Sequence, residues 1–178
     1  MGGGGASLTA VLSRQDILRL VEQDPPLVTG YRDLDAQLQP NGFDLTVREV
    51  GMVQTAGQIA ASNARRMVSA LAPLTFDAFD FVQLIPGPYI VTYNEVVNRP
   101  EDLMALGRPR SSLLRSGVTV HGAVWDAGYS GRSQSLLVVH NPLGFRLQRN
   151  AAVLQLVFLL LTGKTGGYSG AYQGENLD

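Results

Sequence analysis

A mainly β domain, a sandwich or barrel of jelly-roll-like character, is predicted by three features of the sequence. Apolar and polar residues alternate with a period of two through several short stretches. Glycine, proline and asparagine punctuate those stretches at short intervals. A clear amphipathic helix, with its own start and stop signals, is legible only near the N-terminus. With 178 residues and 45% hydrophobic side chains the chain can bury one core and is too short for two ordinary domains.

Residues 1–12, opening "MGGGGASLTA", are expected to be flexible, because ordering four successive glycines costs more backbone entropy than glycine recovers by packing. "SRQDILRLVEQ" pairs Ser13 with Asp16 in a capping-box-like arrangement. Ile17, Leu18, Leu20 and Val21 then follow at helical spacing until "DPP" stops the run, which predicts a helix from about residue 14 to 23.

"GFDLTV" sets Phe43, Leu45 and Val47 on one face of a strand and Asp44 with Thr46 on the other, and "PYIVTYNE" repeats the pattern. "FDFVQLI", "GVTVHGAVW", "SLLVVHN" and "VLQLVFLLL" are further strands. "GQIAASNARRMVSAL" suits helix or strand, and its good helix formers favour helix. The β domain therefore spans residues 13–163. The remaining 164–178, glycine-rich with Tyr168 and Tyr172, cannot build a core and is either a disordered tail or a lid that stacks an aromatic on a ligand.

A formal charge of -1 gives no global basic field, which argues against a nucleic-acid polymer as partner. Lys164 is the only lysine among 14 basic residues. The others are arginines, suited to forked contacts with phosphate or carboxylate. Without cysteine, and with only His121 and His140, a protein-built zinc cage is not expected. The longest apolar run falls far short of the roughly 20 residues that span a bilayer, and the N-terminus lacks a signal-peptide pattern. A soluble cytoplasmic protein with no membrane partner is the expectation.

Three polar features stand out. Gln155 interrupts "VLQLVFLLL", where a buried amide without partners would cost about 1–3 kcal/mol; it either satisfies a neighbouring strand or serves a site. "RPRSSLLRSGV" concentrates guanidinium and hydroxyl donors suited to phosphate oxygens, unless it is a solvated loop. Asp126 in "AVWDAGYSG" either forms an Asx turn or presents a carboxylate at a strand end.

Together and in this order, "GFDL", "RSSLLRSG", "WDAGYSG", "VLQLVF" and "GYSGAYQG" resemble the dUTPase and dCTP deaminase superfamily, most closely the archaeal-type dUTPases. The resemblance implies a distorted jelly roll (β-clip) with a short N-terminal helix and one or two further short helices, assembled as a homotrimer with sites between subunits. It also implies a dUTP diphosphatase in which Mg²⁺ rides on the substrate triphosphate. Asp126 then holds the sugar 3′-OH and activates the attacking water, while Tyr129 lies under the deoxyribose where a 2′-OH would clash. Arg110, Ser111, Ser112 and Arg115 are similar to the family's phosphate binders, and Gln155 to the glutamine that reaches the phosphates or the water. Asp44 resembles the aspartate that touches magnesium through a water. The resemblance assigns base recognition to backbone groups around Val120 to Gly122, and closure over the nucleotide to Tyr168, Tyr172 and Gln173.

The chain departs from the dUTPase pattern at Ala152, where many relatives carry an arginine, and its "YQG" is closer to the deaminase form. Deamination of dCTP in this family needs a glutamate on the strand after the "DxGYxG" turn to shuttle protons. That strand reads "SLLVVHN", with leucine or valine at the equivalent place. Hydrolysis is therefore favoured over deamination or a bifunctional activity, with a non-catalytic nucleotide-binding regulator as the reading from another class.

Overall fold

A computed structural model describes residues 10–177, so the expected mobility of residues 1–9 lies outside the described residues. The first helix, α1 (Arg14–Val21), is nucleated by the predicted capping box, with Ser13 and Asp16 satisfying each other's backbone amides. Ile17 and Val21 are its buried stripe. It ends at Glu22, slightly before the expected position. Residues 10–12 run beside the last strand, where the Leu12 amide donates to the Phe158 carbonyl at 3.0 Å.

The remaining elements in chain order are β1 (Val28–Thr29), α2 (Leu34–Gln37), β2 (Leu38–Gln39), β3 (Gly42–Val53), β4 (Leu71–Pro73), β5 (Phe81–Leu84) and β6 (Gly87–Tyr93). β7 (Val96–Asn98), β8 (Leu103–Pro109), α3 (Ser111–Arg115), β9 (Val118–His121), β10 (Val124–Trp125) and β11 (Ser130–Gly131) follow. β12 (Gln134–Val139), β13 (Phe145–Gln148) and β14 (Ala152–Leu160) complete the domain. Among the described residues the fold has three α-helices and is mainly β, the class the sequence predicts.

One sheet runs β10-β8-β14-β3-β6-β12-β9, with β2 and β4 pairing to β3; β1-β7-β11 and β13-β5 form two smaller sheets. β3 makes the sheet curl. Its first half pairs with β14, from Phe43 opposite Leu156 to Thr46 opposite Ala152, and its second half pairs with β6, with register shifts at Val47/Glu49 and Ala152/Leu154. Phe43, Leu45, Val47, Tyr93, Leu103, Leu154, Leu156 and Phe158 are fully buried in the core.

One expectation is extended and one is corrected. Asp44 and Thr46 do lie on the face of β3 opposite Phe43 and Leu45, but that face is buried too, at 1% and 3% exposure. A polar layer covers it: Glu95 accepts from the Thr46 amide, the Thr46 hydroxyl and Gln37 Nε2 at 2.9, 2.6 and 2.7 Å. The stretch "GQIAASNARRMVSAL" is not a helix. It holds a 3₁₀ turn at Asn63–Arg65, a bridge between Gln58 and Met67, and the start of β4. Ile59 and Val68 are exposed, so no apolar stripe is buried, and propensity alone does not sustain a short helix in water.

Candidate active site

Asp126 opens a turn closed by the Tyr129 amide on the Asp126 carbonyl at 3.2 Å, with Gly128 at φ +79°. That conformation favours glycine, and a Cβ there would also lie 2.7 Å from Gly167 Cα of the C-terminal segment. The turn is closed by main chain, so the Asp126 carboxylate is not spent on an Asx bond; it is exposed and lines a cavity of about 620 Å³. A smaller cleft of about 440 Å³ on its other side shares Asp126 and Tyr168.

The large cavity is walled by Val53, Val68, Leu71 and Ile90 on one side and by Gln134, Ser135 and Leu136 of β12 on another. Its remaining wall comprises Trp125, Tyr129 and the tail residues Tyr168, Tyr172 and Glu175. The predicted strand "GVTVHGAVW" is broken here. β9 pairs with β12 as far as His121, β10 pairs with β8 from Val124, and no strand among the described residues pairs with Gly122 or Ala123. Val120 is buried and opposite Leu137, while His121 and Ala123, on either side of Gly122, reach the cavity. Gly122 is pressed against the Trp125 ring, which a Cβ would approach to 2.5 Å.

Tyr129 is 6% exposed and held from several sides. The Arg99 guanidinium lies 5.1 Å from its ring centroid, Tyr168 meets it edge-on at 5.8 Å, and its hydroxyl donates to Glu175 Oε1 at 2.8 Å. Burial raises the Tyr129 hydroxyl well above its ordinary pKa, and the Glu175 carboxylate beside it adds to the rise. Burial also raises Glu175, against the lowering effect of the Tyr129 hydrogen bond. Arg99 is pulled down to about 9 by burial, opposed by Tyr129 and Asp126, and its guanidinium nitrogens are buried without a hydrogen-bond partner.

The tail is docked on its own chain. Gln173 accepts from the Ser130 amide at 3.0 Å and donates to the Gly128 carbonyl at 3.1 Å, and the Arg132 amide donates to the Glu175 carbonyl at 2.9 Å. The Arg66 guanidinium lies over the Tyr172 ring, 5.4 Å from its centroid.

A second group of predicted residues gathers elsewhere. Ser111, Ser112 and Arg115 are exposed on α3, with Arg110 as its N-cap. Arg110 forms an ion pair with buried Asp44, whose Oδ1 has no hydrogen-bond partner. Gln155 sits in register between Asp44 of β3 and Arg108 of β8. Its half-buried amide lies over Gly42, where a Cβ would come within 2.7 Å of Nε2. None of these residues lines either cavity bordered by Asp126. Among the described residues no cluster of three metal-ligating side chains exists, and no helix is long and apolar enough to cross a membrane.

Glu95, Arg99 and Glu175 are absent from the sequence-predicted set. Glu175 follows "YQG" directly and could have been found there; Glu95 and Arg99 carry no motif.

A sequence model described as dCTP deaminase-like matches residues 11–161. The chain belongs to that family. Family relatives from Methanosarcina mazei and Archaeoglobus fulgidus, each named probable deoxyuridine 5′-triphosphate nucleotidohydrolase, are 46% and 47% identical. The first match covers 94% of this chain and 98% of the relative, the second 95% and 99%. The crystal structure of a 2′-deoxycytidine 5′-triphosphate deaminase from Agrobacterium tumefaciens shares the fold, with a TM-score of 0.65 at 21% identity. It is matched over 85% of this chain and 48% of that protein, so the chain spans about half its length.

Proposed function

We propose that this chain is a cytoplasmic dUTP diphosphatase, hydrolysing dUTP to dUMP and pyrophosphate. The observation that carries the reading is an unemployed carboxylate, Asp126, on the wall of a nucleotide-sized cavity whose β12 wall contains no acid. Gln134, Ser135 and Leu136 cannot shuttle a proton to a cytosine ring. Glu175, the other carboxyl lining the cavity, is tied to Tyr129. The two archaeal relatives, named for dUTP hydrolysis and matched almost end to end, support the same choice.

In this mechanism the deoxyribose rests on Tyr129 and the base pairs with main-chain groups around Val120 to Gly122. Tyr168, Tyr172 and Gln173 bring the tail over the nucleotide. Asp126 accepts a proton from the water whose oxygen bonds to the α-phosphorus, and the bond from that phosphorus to the bridging oxygen breaks to release pyrophosphate. Arg110, Ser111, Ser112 and Arg115 hold the phosphates, with Gln155 orienting phosphate or water. Since one chain keeps this set away from Asp126, a neighbouring copy in a homotrimer supplies it.

The donor set fits a hydrated magnesium carried by substrate rather than a resident ion: Asp44 Oδ1 is the orphaned carboxylate oxygen beside the phosphate set, and hard cations retain waters. Mg²⁺ on the triphosphate, addressed by Asp44 through water, would supply neutralisation of phosphate charge.

The test is incubation with dUTP, dCTP and dTTP under Mg²⁺, with products resolved by chromatography. dUMP and pyrophosphate from dUTP alone is the expected result. Ammonia or dUTP appearing from dCTP would establish the deaminase instead.

A further inference from the structure

Tyr129 reaches the cavity with its ring and the tail with its hydroxyl, and both ends are tightly constrained. Arg99 and Tyr168 flank the ring, while Gly131 leaves the hydroxyl so little room that a Cβ there would lie 2.8 Å from it. The hydroxyl's partner is Glu175 Oε1, 46 residues further along the chain. The Glu175 backbone is itself fixed, because its carbonyl accepts from the Arg132 amide and the Gly174 amide donates to the Ser130 carbonyl at 2.8 Å. Arg132 Nε donates to the Asn176 carbonyl and Asn176 Nδ2 donates to the Arg132 carbonyl across the same seam, each at 2.9 Å. A carboxylate on the tail is thus delivered to one atom of the residue that walls the sugar end of the cavity.

We propose that Glu175 is a positioning residue for sugar specificity: by holding the Tyr129 hydroxyl when the tail is docked, it fixes the ring at the height that admits a deoxyribose and rejects a ribose. The proposal rests on the nucleotide reading above and on Tyr129 as the surface under the sugar. Rejection of an added hydroxyl by an apolar wall is weak when the wall can yield, since the extra group need only displace it. A ring pinned by a charged hydrogen bond does not yield as easily. Loss of a bond to a charged group corresponds to about tenfold or more in an equilibrium. The tail therefore excludes water and also completes the discriminating surface.

The experiment compares wild type, Glu175→Ala and Glu175→Gln in the full chain. The readouts are kcat/KM for dUTP against UTP, and the affinities of dUMP and UMP by isothermal titration, which need no turnover. Glu175→Ala is expected to lower the dUTP-over-UTP preference and the dUMP-over-UMP affinity ratio by about tenfold. Glu175→Gln, whose amide oxygen still accepts from Tyr129, is expected to restore most of both. A merely structural role in docking the tail would depress both sugars alike, and an unchanged ratio in Glu175→Ala overturns the proposal. Absence of pyrophosphate release by the wild type would instead sink the hydrolase reading, and the dUMP and UMP affinities alone would then decide the role of Glu175.

Discussion

A general base has to be within reach of its water and not already engaged, and the carboxylates of this chain divide on that criterion. Asp44 is paired with Arg110, Glu95 is enclosed, Glu175 is bound by Tyr129, and Asp126 stands exposed in the cavity. Asp126→Asn should preserve the main-chain turn, the melting temperature and much of the dUMP affinity while slowing pyrophosphate release by at least about 10²-fold. Turnover near the wild-type rate would remove Asp126 from the mechanism. Glu95 does structural work and has a different signature. Burial raises its pKa above the ordinary 4.5 despite the bonds from Thr46 and Gln37. A carboxyl whose folded pKa is raised contributes stability that is fully present below the unfolded value and is lost as pH rises through the folded one. The melting-temperature advantage of wild type over Glu95→Gln is therefore expected to grow as pH falls from 8 toward 4.5. A gap that narrows instead would mean that Glu95 is held ionised.

At the scale of elements, legibility follows how local the causes are. The capping box of α1 and the apolar runs of β12 and β14 are written in neighbouring residues, and both are found where the sequence predicts them. β8 was not legible, because "LMALGRP" contains glycine, arginine and proline and its strand conformation comes from pairing with β14 from Leu103 to Pro109. Alternation in β3 was read correctly as two faces, but period two cannot distinguish a face covered by water from one covered by Gln37 and Glu95. The same limit divides the candidate site. "DAGYSG" located Asp126 and Tyr129, whereas the partners of Tyr129, Arg99 and Glu175, lie 30 and 46 residues away and became visible only through packing. The tail is the element whose two sequence readings differ most in consequence. Its docked bonds fall on Glu101 and residues 127–132, outside the main sheet, so truncation after Gly163 should leave the strands folded. Turnover should fall by about 10²-fold or more, since the nucleotide loses Tyr168, Tyr172 and the fixed Tyr129 ring that hold its reactive pose. Thermal melting and pyrophosphate release measured together check this, and a truncated chain hydrolysing dUTP at the full rate would make the tail an appendage.

At the scale of the molecule, the phosphate-suited cluster around α3 and the cavity around Asp126 cannot act on one nucleotide unless something joins them. Leu106 and Val124, opposite each other across β8 and β10, are 40% and 50% exposed, and Leu114 of α3 is 55% exposed. Apolar surface beside the arginine cluster suits a contact with another copy of the chain, and closed symmetric assembly would repeat that contact at every subunit. Each site would then take Asp126, Tyr129 and the tail from one subunit and Arg110, Ser111, Ser112, Arg115 and Gln155 from the next. Subunit mixing tests this directly. Asp126→Asn spoils the first half of a site and leaves the second intact, and Arg115→Ala does the reverse, so each homogeneous protein should be nearly inactive. When the two are unfolded together and refolded in equal amounts, about one site in four should combine an intact Asp126 half with an intact Arg115 half, if assembly is random and closed. Pyrophosphate release should recover to about a quarter of the wild-type rate under these conditions. Recovery requires the halves to come from different chains, because no single chain in the mixture carries both. If the mixture stays as inactive as its components although light scattering shows normal assemblies, Asp126 and Arg115 must act from the same chain, and a site shared between subunits is ruled out.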